Sequence, residues 1–158
     1  MRKILKRSFL ILLCFFIAIQ LGRPSRTNPP VDSSREFSAL YPVNEAVKST
    51  LQRSCNDCHS NHTVWPWYSN LAPASWLVAH DVNEGRKAMN FSDWSAANGE
   101  DNRELVAKIC EDVSQKEMPP YQYMLLHPDA KVSSSEAREI CSWTAISGRG
   151  DNRSGKGK

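Results

Sequence analysis

Apolar residues recur at helical spacing in four stretches of the chain, and no stretch shows a convincing strand period. The first two stretches run from about residue 44 to 55 and from about residue 73 to 87. Their apolar faces hold Val43, Val47 and Leu51 in the first, and Trp76, Ala79 and Asn83 or His80 in the second. The pattern therefore predicts an all-α fold.

The other two helices each open with a capping box, in which a polar side chain and a glutamate three residues later satisfy helix N-terminal N–H groups. Asp101 and Glu104 open the third helix, and the prolines of "MPP" (residues 118–120) end it. Ser133 and Glu136 open the fourth. The inward-facing positions are Leu105, Ile109 and Val113 in the third helix and Ala137, Ile140, Cys141 and Thr144 in the fourth.

Residues 1–22 have the character of an export signal. Basic residues precede an apolar run from Phe9 to Leu21, which has the length of a signal-peptide core and is short for a membrane span of about 20 residues. No clear cleavage site follows, which favours an uncleaved signal-anchor over a cleaved signal peptide. We expect a single-pass protein of the bacterial inner membrane with its domain in the periplasm, or a soluble periplasmic protein if the signal is cleaved.

The rest of the chain divides into a linker, a domain and a tail. Residues 23–42 are rich in proline and serine and have no helical or strand period, so we interpret them as a linker. Residues 43–146 hold the four predicted helices and form the domain. Residues 147–158 are basic, with almost no apolar side chains, and are predicted to be disordered.

The net charge of +3 comes from the two ends of the chain, whereas residues 27–146 are acidic. A nucleic-acid-binding domain needs a basic face on its folded part. We therefore expect no nucleic-acid partner.

The sequence "CNDCH", residues 55–59, is the attachment signature of c-type haem. Two thiols three residues apart on a helical turn reach the two vinyl groups at one edge of a porphyrin. The histidine that follows directs its imidazole at the iron. The spacing predicts one covalently attached haem c, with Cys55 and Cys58 as attachment points and His59 as the proximal iron ligand.

Two other kinds of site use the same residues. A structural zinc module could combine Cys55, Cys58 and His59 with Cys110, Cys141 or another histidine, although zinc sites usually pair two short-spaced ligand groups and no second group exists. A redox dithiol of the thioredoxin type needs a strand before the motif, where the pattern predicts a helix.

Aromatic residues follow the motif closely. We predict that Trp65, Trp67 and Tyr68 wall a haem, although ordinary core packing is an equal interpretation for each ring. Arg86 is a candidate partner for a propionate, against the alternative of a solvated arginine at a helix end. The loop from Pro66 to Pro73 is the expected source of a carbonyl acceptor for the second ring nitrogen of His59.

A second axial ligand must come from elsewhere in the chain. The candidates are Met89, Met118, Met124, His62, His80 and His127. Met118 is favoured because Pro119 pushes it out of the helical region, and the two prolines fix the backbone in an extended strap. A stiff strap can hold a weak thioether ligand against iron.

Cys110 and Cys141 lie on the inward stripes of the third and fourth predicted helices. Free thiols are unusual in an exported domain, so we predict a disulfide between them. Two unpaired buried cysteines are the alternative.

In the order of its elements the chain resembles class I monohaem cytochromes c, and more narrowly it resembles the bacterial haem-binding domain family. The resemblance covers roughly residues 20–146. It rests on "CNDCHSNHTVWPWYSNLAPASWL", "NEGRKAMNFSDW", "KEMPPYQYMLLHPDAKVSSSEAREICSW" and the leading "IQLGRP". It implies a cytochrome c-like bundle of about four helices around haem c, with Met118 as the distal ligand by similarity to the Met-Pro of class I cytochromes.

Two classes of function follow from a haem at this site. A membrane-tethered electron carrier would keep both axial ligands and pass single electrons to a redox partner that the sequence does not name. A haem-based sensor or peroxidase-like enzyme would keep one iron position open. The sequence has no second haem motif and no acid–base pair beside a distal pocket, which favours the electron carrier.

Overall fold

The computed structural model describes residues 1–94 and 99–150, and within these ranges the chain forms helices and no strand. The α-helices are α1 (Arg2–Ile19), α2 (Phe37–Leu40), α3 (Glu45–Ser54), α4 (Asn56–His59), α5 (Ala74–Ala88), α6 (Gly99–Ser114), α7 (Tyr121–Leu126) and α8 (Ser134–Gly150). Short 3-10 helices lie between α4 and α5 at Trp67–Asn70 and between α7 and α8 at Pro128–Ala130. The prediction of an all-α chain is therefore confirmed for these ranges.

The ends of three helices show how local sequence sets them. The Asn44 side chain caps α3 by accepting the Val47 N–H at 2.9 Å. At the start of α8, Glu136 accepts the Ser133 N–H at 2.8 Å, which is the predicted capping box. Helix α5 begins directly after Pro73, as predicted.

Helix α6 differs from its prediction at both ends. It begins at Gly99, so Asp101 lies within the helix and not directly before it. It ends at Ser114, before the prolines, because Lys116 adopts a left-handed φ of 60°. The Glu117 N–H then bonds the Asp112 carbonyl at 2.9 Å, which closes a Schellman motif that leaves the following chain free to turn.

A cluster of buried aromatic and aliphatic side chains forms the core. Phe37 lies at its centre, with ring centroids 4.6 Å from Trp94 and 5.3 Å from Trp143. The buried cluster comprises Phe37, Tyr41, Val47, Leu51, Met89, Phe91, Trp94, Val106, Ile109, Val113, Ile140 and Trp143. Phe37 and Tyr41 come from residues 23–42, which we predicted to be a linker. The folded domain therefore begins before residue 43, because these two large rings are buried in the core.

The rest of the predicted linker runs along the loop that follows the Cys-x-x-Cys-His motif. Gln20, which lies before the predicted linker at the end of α1, also exchanges two hydrogen bonds with the backbone of Ala72, at 2.9 and 3.1 Å. The Asn28 side chain donates to the Thr63 carbonyl at 2.9 Å and accepts from the Trp65 indole at 3.2 Å. These contacts fasten the segment to the domain.

Helix α1 has no buried residue. None of the helices in residues 1–94 and 99–150 has both the length and the apolar character needed to cross a membrane. The predicted signal-anchor therefore stays a prediction. In the predicted disordered tail, residues 147–150 continue α8, and residues 151–158 lie outside the described residues.

The structure contains the predicted disulfide between Cys110 and Cys141, which joins α6 to α8 across a sequence separation of 31 residues. Replacing both cysteines by alanine should lower the free energy of unfolding by about 3–4 kcal/mol, because the unfolded chain regains the entropy that the cross-link removes. Urea denaturation followed by circular dichroism measures this loss. A midpoint equal to that of the wild type would contradict the prediction.

Candidate functional site

The motif residues Cys55, Cys58 and His59 occupy one turn of helix directly after α3. The Cys55 carbonyl accepts the N–H groups of Cys58 at 3.2 Å and of His59 at 2.9 Å. We call residues 55–59 the cysteine turn. All three side chains thus start from one short, hydrogen-bonded unit, and both thiols are free of disulfide bonds.

The imidazole of His59 is held by a backbone carbonyl. Its Nδ1 lies 3.1 Å from the Met89 carbonyl oxygen, which can only accept, so Nδ1–H donates and Nε2 keeps its lone pair. Burial lowers the pKa of His59, although hydrogen bonds to the carbonyls of Met89 and Gly85 oppose the shift. The carbonyl acceptor that we expected is therefore present, but it comes from the end of α5 and not from the loop Pro66–Pro73.

Helix α5 rests directly on the cysteine turn at Gly85, which is buried. A Cβ atom at this position would lie 2.5 Å from the Cys58 carbonyl oxygen and 3.1 Å from the Cys58 Cβ. Only a glycine allows this approach. The packing face of α5 is Ser75, Ala79, Val82 and Gly85. The predicted face was wrong apart from Ala79, since Trp76, His80 and Asn83 are exposed.

The thiols of Cys55 and Cys58 have raised pKa values and are therefore weak nucleophiles in the chain without haem. Burial raises the pKa of Cys55 to about 12, and the neighbouring Cys58 adds to the shift. Burial also raises the pKa of Cys58 to about 11, with contributions from the charges of Asp81 and Asp57. A reactive dithiol requires a lowered pKa, so these surroundings do not fit the thioredoxin alternative.

The zinc alternative also lacks support in the described ranges. No group of three or more His, Cys, Asp or Glu side chains there is arranged to hold a metal ion. Two of the thiols that we considered as a fourth ligand, Cys110 and Cys141, are consumed by the disulfide.

Arg86 binds protein atoms beside the cysteine turn. Its guanidinium donates to the Ser60 carbonyl at 2.8 Å, to Thr63 Oγ1 at 2.8 Å and to Asn28 Oδ1 at 2.9 Å. A further bond reaches the Thr27 carbonyl at 3.2 Å. Arg86 therefore has a structural role. It connects α5 to the loop that follows the motif (residues 60–66, called the motif loop below) and to the segment around Asn28. The predicted contact with a propionate stays a prediction.

The three predicted aromatic residues have different positions. Burial raises the pKa of Tyr68, and the nearby Asp57 and Cys58 add to the shift. Trp67 packs edge-on against Tyr68 at 5.7 Å but is 76% exposed. Trp65 is half-buried and hydrogen-bonded to Asn28. Of these three residues, Tyr68 is therefore the one that lies beside the motif.

Sequence reasoning missed Tyr123, which reaches the cysteine turn from α7. Its hydroxyl donates to Asp57 Oδ2 at 2.8 Å, and Asp57 Oδ1 accepts the Val64 N–H at 2.9 Å. Burial first, and then the bond to Asp57, raises the pKa of Tyr123. Helix α7 therefore lies beside the motif, although no pattern predicted a helix there.

Met118 is half-buried and lies between α6 and α7. Its N–H donates to the Asp112 carbonyl at 3.2 Å, and Asp112 is close enough to His59 to influence the imidazole pKa. Pro119, directly after it, is buried. The Met118 backbone is thus fixed to the end of α6.

The other ligand candidates have other partners or positions. Met89 is buried in the core beside His59, on the side where its carbonyl holds Nδ1. His62 pairs with Glu36 at 2.8 Å, and His80 is exposed. His127 stacks on Tyr123 with ring centroids 4.1 Å apart. Met124 is half-buried in α7.

The donor set fits a haem. Two neutral thiols lie on the same turn as a neutral imidazole whose Nε2 is available, which is the form that ligates iron. Large apolar side chains stand exposed on the neighbouring elements, among them Trp67 at 76%, Leu125 at 62% and Leu126 at 60%. A flat, apolar cofactor can be bound by such side chains.

An all-helical domain with these donors defines a haem-binding protein. The chain belongs to the haem-binding domain family, whose model matches residues 14–146. It is also 30% identical over 113 residues to cytochrome c peroxidase Ccp of Escherichia coli (strain K12). That match includes 70% of this chain but spans only 24% of the peroxidase. No solved structure matches the chain.

Proposed function

We propose that this chain carries one haem c, attached through Cys55 and Cys58, with His59 as the proximal iron ligand. One observation carries the proposal: Nδ1 of His59 is fixed to the Met89 carbonyl, so Nε2 projects from the same turn as the two thiols. In attachment each S–H adds across a vinyl C=C, forming a C–S bond and a C–H bond with no change in redox state. Both thiols are protonated at neutral pH, which supplies that hydrogen.

The second axial ligand in this proposal is Met118. The bond of its N–H to the Asp112 carbonyl and the buried Pro119 fix the backbone on both sides of its side chain. Pro119 and Pro120 also remove two backbone N–H groups and restrict φ. A thioether held in this way can remain a ligand without a hydrogen bond of its own.

Single-electron transfer is the activity that a haem with two permanent ligands supports best. A bound haem supplies the one-electron iron couple, and a thioether ligand raises its potential relative to two histidines. The residues around it make the site rigid. Gly85 packs against the cysteine turn, Arg86 hydrogen-bonds the motif loop, and the Met89 carbonyl holds the His59 imidazole. Rigid ligands keep the geometry constant between the two iron states, which favours fast transfer.

An exported, membrane-proximal position is part of the proposal. The disulfide between Cys110 and Cys141 is typical of an oxidising compartment. The basic start and apolar run of α1 are typical of a signal-anchor. The contacts of Gln20 with Ala72 would then place the end of α1 against the haem domain.

A peroxidase-like or gas-sensing function is the second candidate, and the similarity to the Escherichia coli cytochrome c peroxidase favours it. Such a function needs an iron position that is open in the working state. The number of permanent ligands therefore separates the two candidates, and an absorption spectrum measures it.

Replacing Met118 by alanine should remove the sulfur-to-iron charge-transfer band from the oxidised protein and allow cyanide or carbon monoxide to bind. The cause is the loss of the thioether that this proposal places on the iron. Met124→Ala, in neighbouring α7, is the matched control and should keep the band. If the wild type already binds carbon monoxide readily and has no such band, the iron is open and the second candidate is correct.

A further inference from the structure

We infer that Tyr123 is a positioning residue that fastens the Met-Pro-Pro segment, Met118–Pro120, to the cysteine turn. The inference rests on the proposed function for its consequence at the iron, but the contact itself is a feature of the chain. Tyr123 and Asp57 are 66 residues apart in sequence, and their hydrogen bond is 2.8 Å long. Asp57 lies inside the Cys-x-x-Cys-His motif, between Asn56 and Cys58.

The Asp57 end of this contact is itself fixed. Its second carboxylate oxygen accepts the Val64 N–H at 2.9 Å, and its carbonyl accepts the Thr63 hydroxyl at 2.7 Å. Thr63 is in turn held by Arg86. The carboxylate therefore cannot turn toward water without breaking the bond to the motif loop.

The Tyr123 end is also ordered. Its ring stacks on His127, with centroids 4.1 Å apart and planes 18° apart. The His127 N–H donates to the Tyr123 carbonyl at 3.0 Å. The ring thus enters the hydrogen bond from a defined direction, and little side-chain freedom remains to be lost.

Helix α7 needs this contact because its apolar side chains do not anchor it. No residue of α7 is buried, and Leu125 and Leu126 are at least 60% exposed. The helix follows Pro120 directly, so any movement of α7 is transmitted to Met118 through two stiff residues. The Asp112 carbonyl holds one end of the segment, and the Tyr123–Asp57 bond holds the other.

The test compares two substitutions that remove the same atom from the same helix. Tyr123→Phe removes the bonded hydroxyl, and Tyr121→Phe removes a hydroxyl from a residue that is 72% exposed. In the haem-loaded full chain, Tyr123→Phe should raise the affinity for added imidazole roughly ten- to a hundredfold, as expected for losing a hydrogen bond to a charged acceptor. Tyr121→Phe should leave the affinity unchanged.

Amide hydrogen exchange of residues 121–126 gives a readout that does not depend on the iron. Tyr123→Phe should speed this exchange, and Tyr121→Phe should not. Adding Tyr123→Phe to Asp57→Ala should give no further change, because Asp57→Ala has already removed the acceptor of the Tyr123 hydroxyl. A wild type without the sulfur-to-iron band would remove Met118 as a ligand, and exchange alone would then decide the positioning role. Equal exchange in the two tyrosine variants overturns the inference.

Discussion

Replacing Cys55 and Cys58 together by serine is expected to abolish covalent haem attachment and to destabilise the domain severely. Serine hydroxyls do not form thioethers with the porphyrin vinyl groups. Cys55 also packs against the hydrophobic core at the end of α3. The loss of an apolar cofactor attached there should therefore weaken the packing of the core. A domain of this size buries too little other apolar surface to compensate fully. Haem-specific staining after denaturing electrophoresis measures attachment, and circular dichroism measures the fold.

The matched control is Cys14→Ser. Cys14 is an exposed free cysteine of α1, outside the motif, and its replacement should leave staining unchanged. A double variant that keeps haem on the denatured chain would place the attachment elsewhere. A wild type that binds zinc through Cys55 and Cys58, and that shows no haem on the denatured chain, would contradict haem binding through these thiols.

Replacing Gly85 by valine should have the second-largest effect. Even a Cβ alone would lie 2.5 Å from the Cys58 carbonyl oxygen, a distance that only a backbone shift can relieve. Helix α5 would move away from the cysteine turn, and the Met89 carbonyl at its end would move from His59 Nδ1. Overpacking of this kind costs about 3 kcal/mol. We therefore expect a lower urea midpoint and a reduced haem content per chain.

Gly22→Val is the control for this prediction. Apart from Gly22 itself and its two neighbours in the chain, no atom lies within 4 Å of a Cβ at this position, so the same substitution should be tolerated there. Gly85→Ala adds a further check, because alanine favours a helix over glycine by about 1 kcal/mol. If Gly85→Ala stabilises the protein, the contact between α5 and the cysteine turn is looser than the structure indicates.

The parts of the fold that local sequence controls were predictable. The Asn44 cap, the Ser133–Glu136 capping box and the apolar stripes of α3, α6 and α8 depend on residues a few positions apart, so their patterns are legible in the sequence. The packing face of α5 was not predictable, because its buried positions include Ser75 and Gly85. Small residues carry no hydrophobic signal, and here their size is what permits close approach to the motif.

The candidate site divides in the same way. The cysteine turn is a local motif, so its thiols and imidazole could be recognised from spacing alone. The carbonyl of Met89, the roles of Arg86 and the contact of Tyr123 with Asp57 depend on chain segments that meet only after folding. The prediction that residues 23–42 are a linker was wrong for Phe37 and Tyr41, which are buried in the core. The prolines and serines around these two residues show no helical or strand period.

The most direct test of the central claim is mass spectrometry of the peptide that trypsin releases between Arg53 and Arg86 from the purified full chain. This peptide, residues 54–86, contains Cys55, Cys58 and His59 and no other cysteine. The account predicts that it carries one haem through both thiols and that the haem stays bound in acidified organic solvent. A peptide with two thiols that alkylate freely, recovered from protein that was loaded with haem, would contradict covalent attachment at this motif.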